Sequence, residues 1–362
     1  MNLLILTGHP AQIHNLRVIR DELTGKGHQV FWMATDKDVS KHLLDYFSID
    51  YTRLEKPGKT LHSKVATLIR NTYRTFKLIR EQNIDLIISR VSPYGSLAGF
   101  LSRTRHIALA DTESSGIYNP VFVRFVNSLL TSKVFKRKLC SGQIRYDGNS
   151  ELFYLHPNRF RPLDRSRVSE ILGIEPDESY MIMRFVSWQA YHDKGLSGFT
   201  YANKLRAVKE FSKYTQVFIS SENALPPELD PYRIKIPPER MHDVLAHARL
   251  FMGEGTSMAS ESALLGTPSI YLNDLWFGYT DEEEEYGLLF NFKASEQEQD
   301  RAIKKGIQIL SNPDAEAQMQ ENLKRFLRNK IDVSGFMVWF IENFPESQRI
   351  MKENPDYQYN FK

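Results

Sequence analysis

The 362-residue chain has a single cysteine, Cys140, which excludes an internal disulfide framework and suits a reducing compartment. It has no apolar run near the roughly 18–20 residues that a membrane-spanning helix needs. Its first residues, MNLLILTGHP, lack the basic n-region of a secretory signal and read as a strand. The expected location is therefore the cytoplasm, with any membrane contact made from the inner face. Charge of one sign is also lacking: 47 Lys and Arg against 44 Asp and Glu leave +3, which does not suggest a general nucleic-acid binder. No aromatic pattern or zinc spacing points to RNA. There is no G-x-G-x-x-G, and no complete phosphate loop, because Gly58-Lys59-Thr60 follows Arg53 where the first glycine would stand. Asp-x-Asp spacing occurs only at Asp36–Asp38, in the first half and away from the donor-side strand ends described below. Neither a metal nor another cofactor is expected.

What the chain does have is alternation. Apolar runs at Leu3–Thr7, Val30–Ala34, Tyr51–Leu54, Asp85–Ser89 and Ile107–Asp111 are separated by helical spacing over Ile13–Thr24, Lys37–Phe47, Leu61–Gln82 and Gly95–Arg103. Strands alternating with helices imply a parallel sheet covered on both faces. The pattern lapses in the proline- and basic-rich segment 141–162, then restarts with strands at Tyr180–Phe185, Gln216–Ser220, Leu250–Gly253 and Ser269–Leu272. The length exceeds what one core usually organises. An α/β chain of two Rossmann-type domains, 1–160 and 161–330, is expected. Val121–Leu139 interleaves apolar residues with Arg and Lys. It reads as an interfacial membrane helix or as a packed helix with a basic rim.

Open parallel sheets bind ligands beyond the carboxyl ends of their strands. With two domains face to face, the site is expected in the cleft between them. The first such end carries His9 and His14 in TGHPAQIHN, as cleft ligands or as a capped, solvated loop. After Ile107–Asp111 come two carboxylates, Asp111 and Glu113. Sharing one cleft, they would raise one another's pKa and make an acid or base; alternatively, Asp111 or Thr112 caps a helix. After Tyr180–Phe185 comes a dense polar set with Arg184, Trp188, His192, Asp193 and Lys194, in which the arginine fork suits a phosphate. In GEGTSMASESALLGTPSIY, a glycine turn ends a strand, and Gly255, Thr256 and Ser257 open a helix whose N–H groups suit an anion. Glu261 lies one turn after Ser257, placed to bind ribose hydroxyls or to stabilise the helix dipole. Gly266-Thr267-Pro268 stops that helix.

The run GTSMASESALLGTPSI resembles the nucleotide-sugar motif of GT-B proteins, notably UDP-N-acetylglucosamine 2-epimerases and the glycosyltransferase that makes lipid II. Together with PAQIHN, GHQV, ALADTES, RFVSWQAYHD and MHDVLAHARLFM, it makes the chain resemble the family called domain of unknown function 354. The resemblance implies a GT-B-like fold, with Val333–Phe344 and the tail 331–362 crossing back to the first domain. It implies a donor diphosphate at Thr256 and Ser257, ribose at Glu261, and Arg184 and His192 around phosphate and sugar. Asp111 and Glu113, with His14 as an outsider, fall on the acceptor side, where a base is expected. The epimerases' fuller acidic and histidine signatures are not reproduced. The expected activity is an inverting glycosyl transfer from a UDP-type sugar to a saccharide or lipid-linked acceptor in surface-polysaccharide synthesis. The alternatives are a 2-epimerase or hydrolase, and a non-catalytic nucleotide-sugar-binding subunit.

Overall fold

The computed structural model describes residues 1–35, 38–58, 60–111, 113, 121–186 and 198–362. The chain divides into two compact units, Met1–Tyr154 with Lys330–Lys362, and Leu155–Asn329.

The first unit is built on β1 (Asn2–Thr7), β2 (Gln29–Thr35), β3 (Thr52–Leu54), β4 (Leu86–Ser89), β5 (Arg105–Ala110), β6 (Ser128–Ser132) and β7 (Gln143–Tyr146). Among the described residues they form one parallel sheet in the order β3-β2-β1-β4-β5-β6-β7. Helices α1 (Pro10–Gly25), α2 (Asp38–Tyr46), α3 (Leu61–Glu81) and α4 (Pro93–Ser102) connect the strands, and a short α5 (Leu152–Leu155) follows the sheet. Leu3, Leu4 and Ile5 are fully buried, as expected for a central strand covered on both faces. The reading of Val121–Leu139 as a helix is overturned. That stretch holds a 3₁₀ turn at Val123–Phe125 and then β6, whose five residues are all buried. Ladder pairing to β5 and β7 outweighs the interleaved basic residues, which fall on either side of the strand. β7 likewise lies inside the segment that reads as irregular.

The second unit contains β8 (Tyr180–Phe185), β9 (Gln216–Ser221), β10 (Phe251–Gly253), β11 (Ser269–Leu272) and β12 (Leu289–Phe292), in the order β12-β11-β10-β8-β9. All pairs are parallel. Its helices are α6 (Arg165–Leu172), α7 (Tyr201–Phe211), α8 (Met241–Leu245), α9 (Thr256–Leu264), α10 (Gly278–Glu285), α11 (Glu296–Ser311) and α12 (Ala315–Arg328). The run Arg233–Ile236 contributes only an isolated bridge, Arg233 to Ile219. Within the acidic run Asp281–Glu285, Glu283 is fully buried and accepts the Ser260 hydroxyl at 2.5 Å. Glu284 accepts the backbone and side-chain amides of Asn291.

The chain then returns to the first unit as α13 (Val333–Glu342) and α14 (Glu346–Glu353), ending in a 3₁₀ stretch, Pro355–Phe361. Asp332 caps α13 through the Gly335 N–H, and α13 packs on α1. Phe336 and Phe340 are fully buried, each contributing about 1.5–3 kcal/mol. Asp147, just past β7, binds Lys330 at 2.9 Å and the Tyr359 hydroxyl at 2.8 Å, with Lys133 at 3.3 Å. The returning segment is therefore fastened by a buried charge as well as by aromatic packing. No helix among the described residues is long and apolar enough to cross a membrane.

Candidate functional site

Strand order in the second unit reverses between β8 and β10, and ligands of such sheets bind beyond the carboxyl ends at that switch point. Arg184 is near the end of β8 and Gly253 ends β10, and the two are register partners. A Cβ on Gly253 would lie 2.8 Å from the Arg184 Cβ and 2.7 Å from the Phe251 ring, so only glycine fits beside the arginine. Arg184 donates to the Ser220 hydroxyl at 2.8 Å and to the Glu222 carboxylate at 2.7 Å. The guanidinium is thereby aimed, and part of its charge is offset.

Gly255 sits at the N-cap of α9 with no side-chain cap. The first-turn N–H groups of a helix lack intrahelical acceptors and carry the positive end of its dipole. The Thr256 hydroxyl donates to the Tyr271 hydroxyl at 2.9 Å. Tyr271 donates onward to the Leu275 carbonyl. Ser257 is exposed. Glu261, one turn on, is buried and lies 3.1 Å from Nε2 of His242 on α8. The His242 ring meets Phe160 edge-on at 6.1 Å. Gly266 ends the helix at φ +88, the left-handed turn that glycine adopts without strain.

Sequence reasoning missed Glu254, the carboxylate between the two glycines. It is buried and accepts the N–H of Val186 at 2.9 Å and of Phe199 at 2.7 Å, with Lys204 at 3.9 Å. One side chain thus fixes both ends of the 187–197 connection. His192, Trp188, Asp193 and Lys194 belong to that connection and lie outside the described residues. Glu254→Gln turns one acceptor oxygen into a donor facing an N–H. It is expected to lower the stability of the second unit by about 1–3 kcal/mol, measured by urea unfolding. An unchanged midpoint would mean that these bonds contribute nothing.

In the first unit the order reverses between β1 and β4. His9 caps α1, its Nδ1 accepting the Ala11 N–H. His14 is buried, stacked on Tyr154 with centroids 5.4 Å apart and edge-on to Phe47. The two carboxylates after β5 have separate partners. Asp111 forms an ion pair with Arg90, which follows β4 and is nearly buried. Glu113 accepts the Lys136 N–H at 3.1 Å, while its own carbonyl accepts from Arg137. Asn15 of α1 accepts from Arg90 at 2.7 Å in the amide orientation that satisfies both of its neighbours. Arg90 and Asn15 were not legible as site residues, because their link to Asp111 is made only by the sheet order.

The structure thus groups Gly255, Thr256, Ser257 and Glu261 on one helix of the second unit, with Arg184 on the neighbouring strand end. Asp111, Glu113 and His14 belong to the first unit, each with partners of its own.

The family model described as Protein of unknown function (DUF354) matches residues 4–275. No curated protein matches the chain. Among solved structures, MnaA of S. aureus in complex with UDP is similar at a TM-score of 0.67 and 13% identity, covering 96% of this chain and 97% of that one. A UDP-GlcNAc 2-epimerase from Neisseria meningitidis bound to UDP-GlcNAc gives 0.63 at 12% identity, covering 91% and 99%. MurG of Acinetobacter baumannii gives 0.57 at 12% identity, covering 95% and 99%. At these identities the likeness establishes the fold, two parallel α/β units of the GT-B type.

Proposed function

The chain belongs to the DUF354 family, and on that premise we propose that it is a glycosyltransferase using a UDP-type nucleotide-sugar. The observation that carries this reading is the N-terminus of α9 at the switch point, with no side-chain cap and Glu261 one turn behind it. In this reading the donor diphosphate takes hydrogen bonds from the first-turn N–H groups of Thr256 and Ser257 and from the Arg184 fork, without a bridging metal. Glu261, oriented by His242, accepts from the ribose hydroxyls. Asp111, oriented by Arg90, takes the proton of an acceptor hydroxyl as its oxygen attacks the anomeric carbon. The bond to the diphosphate breaks on the opposite side, and the nucleoside diphosphate leaves on the helix end. The acceptor class we propose is a saccharide or lipid-linked saccharide of surface-polysaccharide synthesis. The fold likeness to MnaA with UDP and to MurG supports the reading at the level of architecture.

Glu261→Ala is expected to weaken UDP binding about tenfold, the loss of one charge-assisted hydrogen bond. Titration calorimetry measures it, and unchanged UDP affinity would remove the donor-site assignment. Incubation with UDP-sugars in the absence of acceptor separates the chemistries. Interconversion of 2-epimers would replace transfer by epimerisation, and saturable binding with no turnover under any acceptor would leave a binding subunit.

A further inference from the structure

Over its first half helix α3 is inside out, while Phe76, Leu78 and Ile79 farther on pack in the core. Its buried residues include Thr67, Asn71, Thr72 and Thr75, three of them at four-residue spacing. The Asn71 amide exchanges hydrogen bonds with the backbone N–H and carbonyl of Glu55, and the Thr75 hydroxyl donates to the Asn71 carbonyl. Asn71 and Thr75 are therefore satisfied inside, while the buried Thr72 hydroxyl has no hydrogen-bond partner among the described residues. The apolar stripe faces outward: Leu61, Val65, Ile69 and Tyr73, also four residues apart, are 74%, 47%, 63% and 66% exposed. An isolated exposed leucine needs no explanation, but a contiguous row of large apolar side chains does.

Apolar side chains are also exposed on the neighbouring helix. Helix α4 packs beside α3, and Ile79 of α3 and Ala98 of α4 share one core cluster with Leu4, Leu6 and Ile87, so both helices cover the same sheet face. Phe100 and Leu101 on α4 are 60% and 62% exposed. The surrounding charge has one dominant sign. Between Leu61 and Glu81 the cations are Lys64, Arg70, Arg74, Lys77 and Arg80, against one acid, Glu81. Glu55 also pairs with Arg70 and Arg74. From Pro93 to Arg105 there are two arginines and no acid.

We propose that the outer face of α3 and α4 docks on an anionic lipid surface, with the apolar row entering the acyl boundary and the flanking cations lying among the headgroups. A helix with an apolar row, a basic flank and too little apolar length to span is the form that lies in a membrane interface, and basic residues near the surface are attracted to anionic lipid. The same charge argues against a second copy of this chain as the occupant. A two-fold pairing of α3 with itself would set this excess of cations against its own image, whereas anionic headgroups complement it.

The test is co-sedimentation of the full chain with vesicles of phosphatidylglycerol and phosphatidylcholine, and with phosphatidylcholine alone. The protein is expected to pellet with the anionic vesicles, and to be released as salt rises. Ile69→Glu with Tyr73→Glu is expected to lower the partition coefficient at least about tenfold. Both positions are exposed, so the thermal transition and UDP affinity should be unchanged, which separates this proposal from the nucleotide-sugar reading. Equal partition of the variant and the parent would overturn it. So would absence of binding to the anionic vesicles, or a dimer in sedimentation equilibrium that the double variant dissolves without any vesicle binding.

Discussion

Asp147→Ala is expected to destabilise the first unit by about 3–5 kcal/mol, the cost of breaking a buried ion pair by removing one member. The other member of the pair is Lys330, whose side chain is only 3% exposed. The Tyr359 hydroxyl loses its acceptor as well, whereas the Asp147 carbonyl and N–H, which bond to the Ile331 N–H and to Gln358, are main-chain groups that alanine retains. The returning segment would lose its side-chain ties to Asp147 at Lys330, near its start, and at Tyr359, near its end. Urea unfolding of the variant measures the effect, and Asp147→Ala with Lys330→Met should recover part of it, since an apolar replacement removes both charges. A variant within about 1 kcal/mol of the parent would show that aromatic packing alone holds α13.

Acidity tests the same carboxyl. Burial acts to raise the Asp147 pKa, but the hydrogen bond and charge of Lys330, with Tyr359 and Lys133, hold it below its usual value. A group with a lowered folded pKa stabilises the fold above its unfolded pKa, and that contribution is lost as pH falls through the folded one. Asp147 therefore contributes fully at neutral pH and ceases to do so only in strong acid.

The second large effect belongs to His106, and it sets in at milder pH. Burial alone pushes this imidazole down to about 3. Its Nε2 lies 2.8 Å from the Ser89 hydroxyl, and its Nδ1 has no hydrogen-bond partner among the described residues. Nothing in contact favours a second ring proton. The unfolded chain takes up that proton below its ordinary value near 6.5, while the native state does not. Stability is thus full above about 6.5 and falls by about 1.4 kcal/mol per pH unit below it, or about 4–5 kcal/mol in all by pH 3. His106→Leu should flatten this part of the pH–stability curve, measured by urea unfolding at a series of pH values. The Ser89 hydroxyl would still accept the Ser92 N–H. A purely steric role for His106 would shift the curve without changing its slope.

Both effects come from groups that nothing in the sequence marks as special. His106 opens an ordinary apolar run, and Asp147 lies in a segment that reads as irregular. What makes them consequential is burial, and burial depends on the sheet that closes around them. The candidate site divides in the same way. The glycine turn, the helix start at Thr256 and the stop at Gly266 were legible because turn chemistry and helix caps are local. The partner of Glu261 was not, because His242 is nineteen residues away and arrives only when α8 packs against α9. Arg90 and Asp111 are brought together by the adjacency of β4 and β5.

By itself the sequence determined the parallel α/β architecture, the positions of most strands and the helix that follows Gly255, since hydrophobic period and glycine placement act over a few residues. Only the tertiary structure decided which way side chains face. In α3, four-residue spacing marks both an apolar and a polar stripe, and either could have been the inner one. Hydrogen bonds from Asn71 to Glu55, across sixteen residues of chain, turn the polar stripe inward and leave the apolar one outside. In Val121–Leu139, pairing on both sides of β6 made a strand of residues whose local pattern reads as a helix. In each case the deciding interaction is a long-range backbone or amide hydrogen bond, which no local pattern of residues records.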